Sequence, residues 1–268
     1  MKIANRSVLV TGASYGIGAA IARAAAQAGA RRVILLARTQ PALDQVAADV
    51  RAAGSEAATY AVDLADHAAV AQVASQILAA YGPPDIIVNN AGIGRWLFVE
   101  ETDPSEVVAM MGAPYFAAFF VTRAFLPDML RRRAGQIVNI NSPAALVAWP
   151  GSAAYTAARA ALRGFTEALR ADLAGTGVKV TSVVAGKVSS TYWQHNPGAE
   201  QRAPWIARAI PTLLPEQVGA ATVRAIERDA QEIVIPRMLK LFYQVNRVAP
   251  GLVRWLVVAT GARRGTSG

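Results

Sequence analysis

Seven short apolar runs punctuate the chain: SVLVTG (7–12), RRVILLAR (31–38), EAATYAVDL (56–64), DIIVNNAG (85–92), GQIVNINS (135–142), KVTSVVAG (179–186) and EIVIP (232–236). They are continuous rather than alternating, as suits strands buried on both faces of a parallel sheet. Between them lie stretches of helical period at 15–30, 41–53, 66–81, 104–132, 152–174 and 215–229. Such alternation builds right-handed strand–helix–strand crossovers. The pattern predicts an α/β fold with one doubly wound parallel sheet of about seven strands and helices on both faces. Two regions break the alternation. Residues 187–214 are rich in Pro, Trp and polar residues and read as a loop with short helices. Residues 237–268 follow the last strand as a basic and apolar extension of the same domain.

Composition narrows the chemistry. The 268 residues are 53% hydrophobic, enough for one substantial core. There is no cysteine, which removes disulfides, thiolate metal sites and cysteine nucleophiles. His67 and His195 are the only histidines, and no metal site is expected. No run of about 18 apolar residues occurs, so no membrane-spanning helix is expected. The segment MKIANRSVLVTG enters a strand at once without the layout of a signal peptide, so a cytoplasmic location is expected.

Net charge is +9, but six of the positive charges lie in 237–268: Arg237, Lys240, Arg247, Arg254, Arg263 and Arg264, with no acid among them. The body is nearly balanced, and no nucleic-acid partner is expected. The extension mixes these cations with Leu, Val, Phe and Trp. Four readings stay open for it: capping a pocket, packing on a partner subunit, peripheral contact with an anionic membrane, or disorder.

The candidate chemistry begins at TGASYGIG (11–18), which follows the first strand and opens a helix. Gly12, Gly16 and Gly18 lie where the chain must turn tightly and approach a phosphate. The helix N-terminus offers free N–H groups and a positive dipole end to a pyrophosphate. Ser14, Tyr15 and Ile17 complete this cofactor-binding loop. At the end of the second strand, NAD binders carry an acid for the ribose 2′-hydroxyl. Ala37 has no carboxylate, and Arg38 can pair with a 2′-phosphate, so NADP(H) is the expected cofactor.

The G-x-x-x-G-x-G spacing, together with NNAG (89–92), resembles the short-chain dehydrogenase/reductase family over roughly residues 5–236. The resemblance implies a single Rossmann-type domain, commonly a homodimer or homotetramer. It also implies hydride transfer between a nicotinamide cofactor and a carbonyl or alcohol. On this resemblance Asp63 contacts the adenine amino group, and Asn90 and Gly92 line the ribose side. Asn89 is expected to hold neighbouring strands together.

The family's proton relay uses Asn, Ser, Tyr and Lys. Ser142 and Tyr155 match by position, 13 residues apart. A serine hydroxyl can hydrogen-bond a carbonyl oxygen, and the tyrosine would protonate it. A free phenol titrates near 10 and needs neighbouring positive charge to act near neutral pH. The family's lysine four residues on is here Arg159. Arginine keeps the charge and can bond ribose hydroxyls, but it lends no proton. The family's asparagine falls at Pro114, which has neither polar side-chain atom nor N–H. The lysine–water relay is therefore expected to be absent.

After the sixth strand, AGKVSST replaces the family's Pro-Gly and threonine, leaving Ser190 or Thr191 in that role. Lys187 in the same stretch reads as a solvent-facing loop lysine or as a substitute ammonium. Trp96, Trp149, Tyr192 and Trp193 lie on loops around the expected nicotinamide. They read either as the wall of a pocket for a small hydrophobic or aromatic substrate, or as packing under loops. Two functions follow. One is an NADP(H)-dependent oxidoreductase acting on a hydrophobic carbonyl, enone or imine through Ser142, Tyr155 and Arg159. The other is a non-redox protein on the same scaffold, either a cyclase or isomerase or a cofactor-binding pseudoenzyme.

Overall fold

The computed structural model describes residues 1–190 and 199–264. Seven strands, β1 (Ser7–Thr11), β2 (Arg32–Ala37), β3 (Glu56–Ala61), β4 (Ile86–Asn89), β5 (Gly135–Asn141), β6 (Val178–Ala185) and β7 (Glu232–Ile235), form one sheet. Its order is β3-β2-β1-β4-β5-β6-β7, and every pairing is parallel. The order reverses between β1 and β4, where the crossovers leave in opposite directions. A crevice opens there, at the carboxyl ends of the strands.

Side chains of a strand alternate between its faces, and both faces are covered. Val8, Val10, Val33 and Leu35 point to one side, against Ile21 of α1 (Gly16–Gln27), Leu43 and Val46 of α2 (Gln40–Ala52) and Ile226 of α8 (Pro215–Glu227). Leu9, Ile34, Leu36 and Ile137 point to the other side. There they meet Ile77 of α3 (His67–Tyr81), Phe125 and Met129 of α5 (Ala117–Arg131) and Leu169 of α6 (Ala153–Asp172). Double coverage explains why the strands read as unbroken apolar runs.

A buried polar chain crosses this core. Asn89 Nδ2 donates to Asn139 Oδ1 at 2.9 Å and to Thr122 Oγ1 at 3.2 Å. Asn139 Nδ2 donates to Thr166 Oγ1 at 2.8 Å. Asn89 thus ties β4 to β5 and α5, and Asn139 carries the link to α6.

The helical stretch at 104–132 is not uniform. α4 (Pro104–Met111) runs into a π turn, Gly112–Phe116, before α5 begins. Pro114 lies buried at the centre of that turn. Proline has no N–H for the i→i−4 bond and its ring clashes with the preceding turn, so the backbone widens around it. By length and composition alone the run Pro104–Arg131 is long and apolar enough to cross a bilayer. Here its second half is a core helix, with Val121, Phe125 and Met129 fully buried.

Between β6 and α8, α7 (Ala199–Arg202) and a short turn Trp205–Ala209 lie over the crevice. Arg202 pairs with Glu101 of the turn Val99–Glu101. The extension forms two helices, α9 (Arg237–Val248) and α10 (Pro250–Thr260). Their inner faces pack back on the domain. Leu239 and Tyr243 lie against Val184, and Val253 and Val257 against Val147. Leu239, Phe242 and Val257 of these helices also border the cleft at the carboxyl ends of the strands.

Candidate active site

One cleft of about 1310 Å³ runs across the β1–β4 crevice. It is bordered by Gly12, Ser14, Tyr15, Gly16 and Ile17 at one end and by Ser142, Tyr155 and Arg159 at the other. Arg38, Asp63, Asn90 and Gly92 also face it. Of the expected cofactor residues only Gly18 does not. It lies beneath the loop, where a Cβ would come 2.1 Å from the Gly12 carbonyl oxygen. Its part is to let α1 approach the loop.

The glycine loop has the form of an anion cradle. Gly12 has φ +62°, and a Cβ there would come 2.9 Å from Ala91 Cα. The N-terminus of α1 carries no side-chain cap, so its first N–H groups remain available at the cleft. Asn90 braces the loop from β4: its Nδ2 donates to the Thr11 oxygen at 3.0 Å and to the Gly12 oxygen at 3.2 Å. Thr11 returns the support, its Oγ1 accepting from Asn90 N at 2.9 Å and from Ala91 N at 3.0 Å. Asp63 Oδ1 accepts from Ala65 N at 3.0 Å, which fixes its carboxylate at the rim. Arg38 is exposed at the end of β2 and makes no ion pair among the described residues.

Tyr155 and Arg159 sit one turn apart on the first half of α6, both facing inward. Tyr155 is 6% exposed and Arg159 9%. Arg159 Nη1 donates to the Ile140 oxygen at 3.2 Å, while its Nε–H is buried without an acceptor. The segment AGIG (91–94) lies directly on this pair. A Cβ on Gly92 would come 2.7 Å from Arg159 Nη2, and one on Gly94 would come 2.1 Å from Tyr155 Cδ2. Ser142 Oγ accepts from Ala144 N at 3.3 Å. That leaves its O–H to donate elsewhere.

The wall beyond Tyr155 is apolar. Trp96 and Trp149 meet edge to face at 4.9 Å, and their rings lie 6.2 and 6.4 Å from the Tyr155 ring. Met110 packs with them, and Phe242 and Val257 of the C-terminal helices close the far side. Lys187 also borders the cleft, but its Nζ lies 2.8 Å from Glu200 Oε1, so its charge is matched. Ser190 borders the cleft. Thr191, Tyr192 and Trp193 lie outside the described residues.

The donors suit a dinucleotide. An uncapped helix end and an unpaired arginine lie near one end, and a buried cation with an unanswered N–H lies at the other. A guanidinium bordering the cleft can donate to ligand hydroxyls.

The profile of the short chain dehydrogenase family matches residues 6–201. The chain belongs to the short-chain dehydrogenase family. It is 33% identical over 266 residues to a ketoacyl reductase of Nostoc sp., covering 96% of this chain and 91% of that one. A metagenomic short-chain oxidoreductase solved with NADP superimposes with a TM-score of 0.72 at 33% identity, over 88% of this chain and 98% of that one. A short-chain dehydrogenase from Burkholderia phymatum solved with NAD gives a TM-score of 0.83 at 25% identity, over 95% and 97%. In this family the cleft takes a nicotinamide cofactor and a small substrate.

The sequence did not single out Thr11, Gly94, Met110 or the cleft-facing side chains of the extension. For Gly94 a signal was present, since it stands two residues after Gly92 in AGIG.

Proposed function

We propose that this short-chain dehydrogenase is an NADP(H)-dependent oxidoreductase that transfers hydride to or from a hydrophobic carbonyl, enone or imine. The observation that carries the reading is the single cleft joining the glycine loop and Arg38 to Ser142, Tyr155 and Arg159. The glycine loop and the N-terminus of α1 would hold the pyrophosphate, Arg38 the 2′-phosphate, and Arg159 the ribose next to the nicotinamide. Bound there, the dinucleotide supplies or accepts the hydride.

The protein's own part is proton and charge management. In the reducing direction Ser142 donates a hydrogen bond to the substrate oxygen and makes its carbon more electrophilic. Tyr155 passes its phenolic proton to that oxygen as negative charge develops there. Arg159 keeps a fixed positive charge beside the phenol. It cannot pass a proton on, and Pro114 supplies no side-chain polar atom for a water. The site is therefore atypical, suited to acceptors that demand little protonation. Trp96, Trp149 and Phe242 favour an apolar or aromatic substrate. A cytoplasmic homodimer or homotetramer completes the proposal.

A second reading, a non-redox protein on the same scaffold, draws on the bond from Arg159 to Ile140, which commits part of the guanidinium to the protein. Two measurements separate them. Fluorescence titration should show NADPH bound more tightly than NADH. Labelled NADPH should deliver deuteride into the product of a reducible apolar ketone, enone or imine, and Tyr155→Phe should abolish that transfer while leaving NADPH binding nearly intact. Product formed without label would establish the non-redox reading.

A further inference from the structure

The C-terminal helices have a second, outward face. On α9 the exposed apolar residues Met238, Leu241, Val245 and Val248 recur at i, i+3, i+7 and i+10, which places them in one stripe. One position earlier in each step stand Arg237, Lys240, Gln244 and Arg247, so a basic stripe runs beside the apolar one. α10 continues the theme with exposed Leu252 and Trp255 beside Arg254. Leu241 is 66%, Val248 87% and Trp255 64% exposed. These are not core positions caught at the edge, because the core face of both helices is separate and filled.

The charge of this face is of one sign. No acid occurs in 237–268. Arg264 pairs with Glu100 at 2.8 Å, but no carboxylate among the described residues pairs with Arg237, Lys240, Arg247 or Arg254. A second copy docking by two-fold symmetry would set this stripe against itself, cation facing cation. An anionic surface with an apolar interior meets both stripes at once. Trp255 suits the boundary between the two, with an apolar ring and an N–H that keeps a polar partner.

We propose that the outer face of α9 and α10 docks on an anionic lipid surface, with the apolar stripe in the acyl boundary and the basic stripe among the headgroups. The inner faces of the same helices supply Leu239, Phe242 and Val257 to the cleft, and Met238 both borders the cleft and is exposed outside. Docking thus sets the apolar wall of the cleft beside the lipid. The docking does not depend on the hydride-transfer reading, and its test needs no turnover.

The full chain is floated with vesicles of phosphatidylcholine, with and without phosphatidylglycerol, at low and high salt. Binding is expected to the anionic vesicles, weakening as salt rises. Lys240→Gln/Arg247→Gln/Arg254→Gln should lower the partition by about a hundredfold. Leu241→Asp/Trp255→Asp should lower it at least tenfold even at low salt, a loss on the order of the apolar contact removed. All five side chains are exposed, so cooperative melting should be retained. If the aspartate pair melts without cooperativity, the glutamine triple decides alone. The proposal is overturned if wild type floats with neither vesicle, or if the glutamine triple binds as well as wild type. It is also overturned if light scattering finds a dimer that the aspartate pair dissolves, since the face would then belong to a second copy.

Discussion

The guanidinium carbon of Arg159 lies 5.2 Å from the centroid of the Tyr155 ring. The ring face is attracted to the fixed charge beside it. Arg159→Met is expected to lower kcat by roughly a hundredfold or more. Arg159→Lys with Pro114→Asn should raise turnover on a simple ketone, because it restores a side chain that can pass a proton and an amide near the π turn. A kcat unchanged in Arg159→Met would remove Arg159 from the proton step.

Gly94 sets the position of that same ring. The Cβ of Gly94→Ala would collide with Tyr155 Cδ2, so the ring must move by about an ångström or more. Displacement of a reacting group on that scale costs about a hundredfold in rate. The loss should fall on kcat, with NADPH affinity nearly unchanged, because the glycine loop and Arg38 are untouched. Equal losses in kcat and in cofactor affinity would show that the whole 91–96 segment had collapsed.

Arg38 is a test of cofactor choice. Arg38→Ala should weaken NADPH binding by roughly tenfold to a hundredfold, the range for a charged hydrogen bond, and leave NADH binding unaltered. Isothermal titration with both cofactors reads this directly. An equal loss for both would mean that Arg38 supports the loop and does not read the phosphate.

Tyr243 anchors α9, and burial pushes its phenol far above its usual value, with the Glu232 carboxylate adding to the effect. The native state therefore holds the proton more tightly than the unfolded chain. That stability is complete below about pH 10, where the unfolded phenol titrates, and is lost as pH rises above it. Thermal melts between neutral and strongly alkaline pH should show a steeper decline for wild type than for Tyr243→Phe. Parallel declines would place the alkaline sensitivity elsewhere.

Most of the scaffold was legible from the apolar runs. Six of the seven strands fall inside them and β6 begins one residue early at Val178, because burial of the central strands on both faces keeps their runs apolar. The glycine loop was legible for a similar reason, since tight backbone approach leaves its mark as missing side chains. The π turn was not, because 104–132 keeps one apolar rhythm while Pro114 acts on backbone hydrogen bonds that no periodicity records. The C-terminal helices were half legible. Their charge stood out, but Leu239, Tyr243, Val253 and Val257 became core only where Val184 and Val147 met them. Lys187 was open for want of its partner, since Glu200 is brought to it only by the fold of α7.

The Asn90 amide that bridges the Thr11 and Gly12 carbonyls bears on the thermodynamics of association. A glycine-rich loop left to itself samples many backbone states, and a ligand would have to select one of them. Here the selection is made during folding, by an amide that belongs to the neighbouring strand. Cofactor capture should then show a small unfavourable entropy and little change in amide exchange across residues 11–18. The same amide makes the loop only as firm as the end of β4, so loosening one end of the crevice loosens the other.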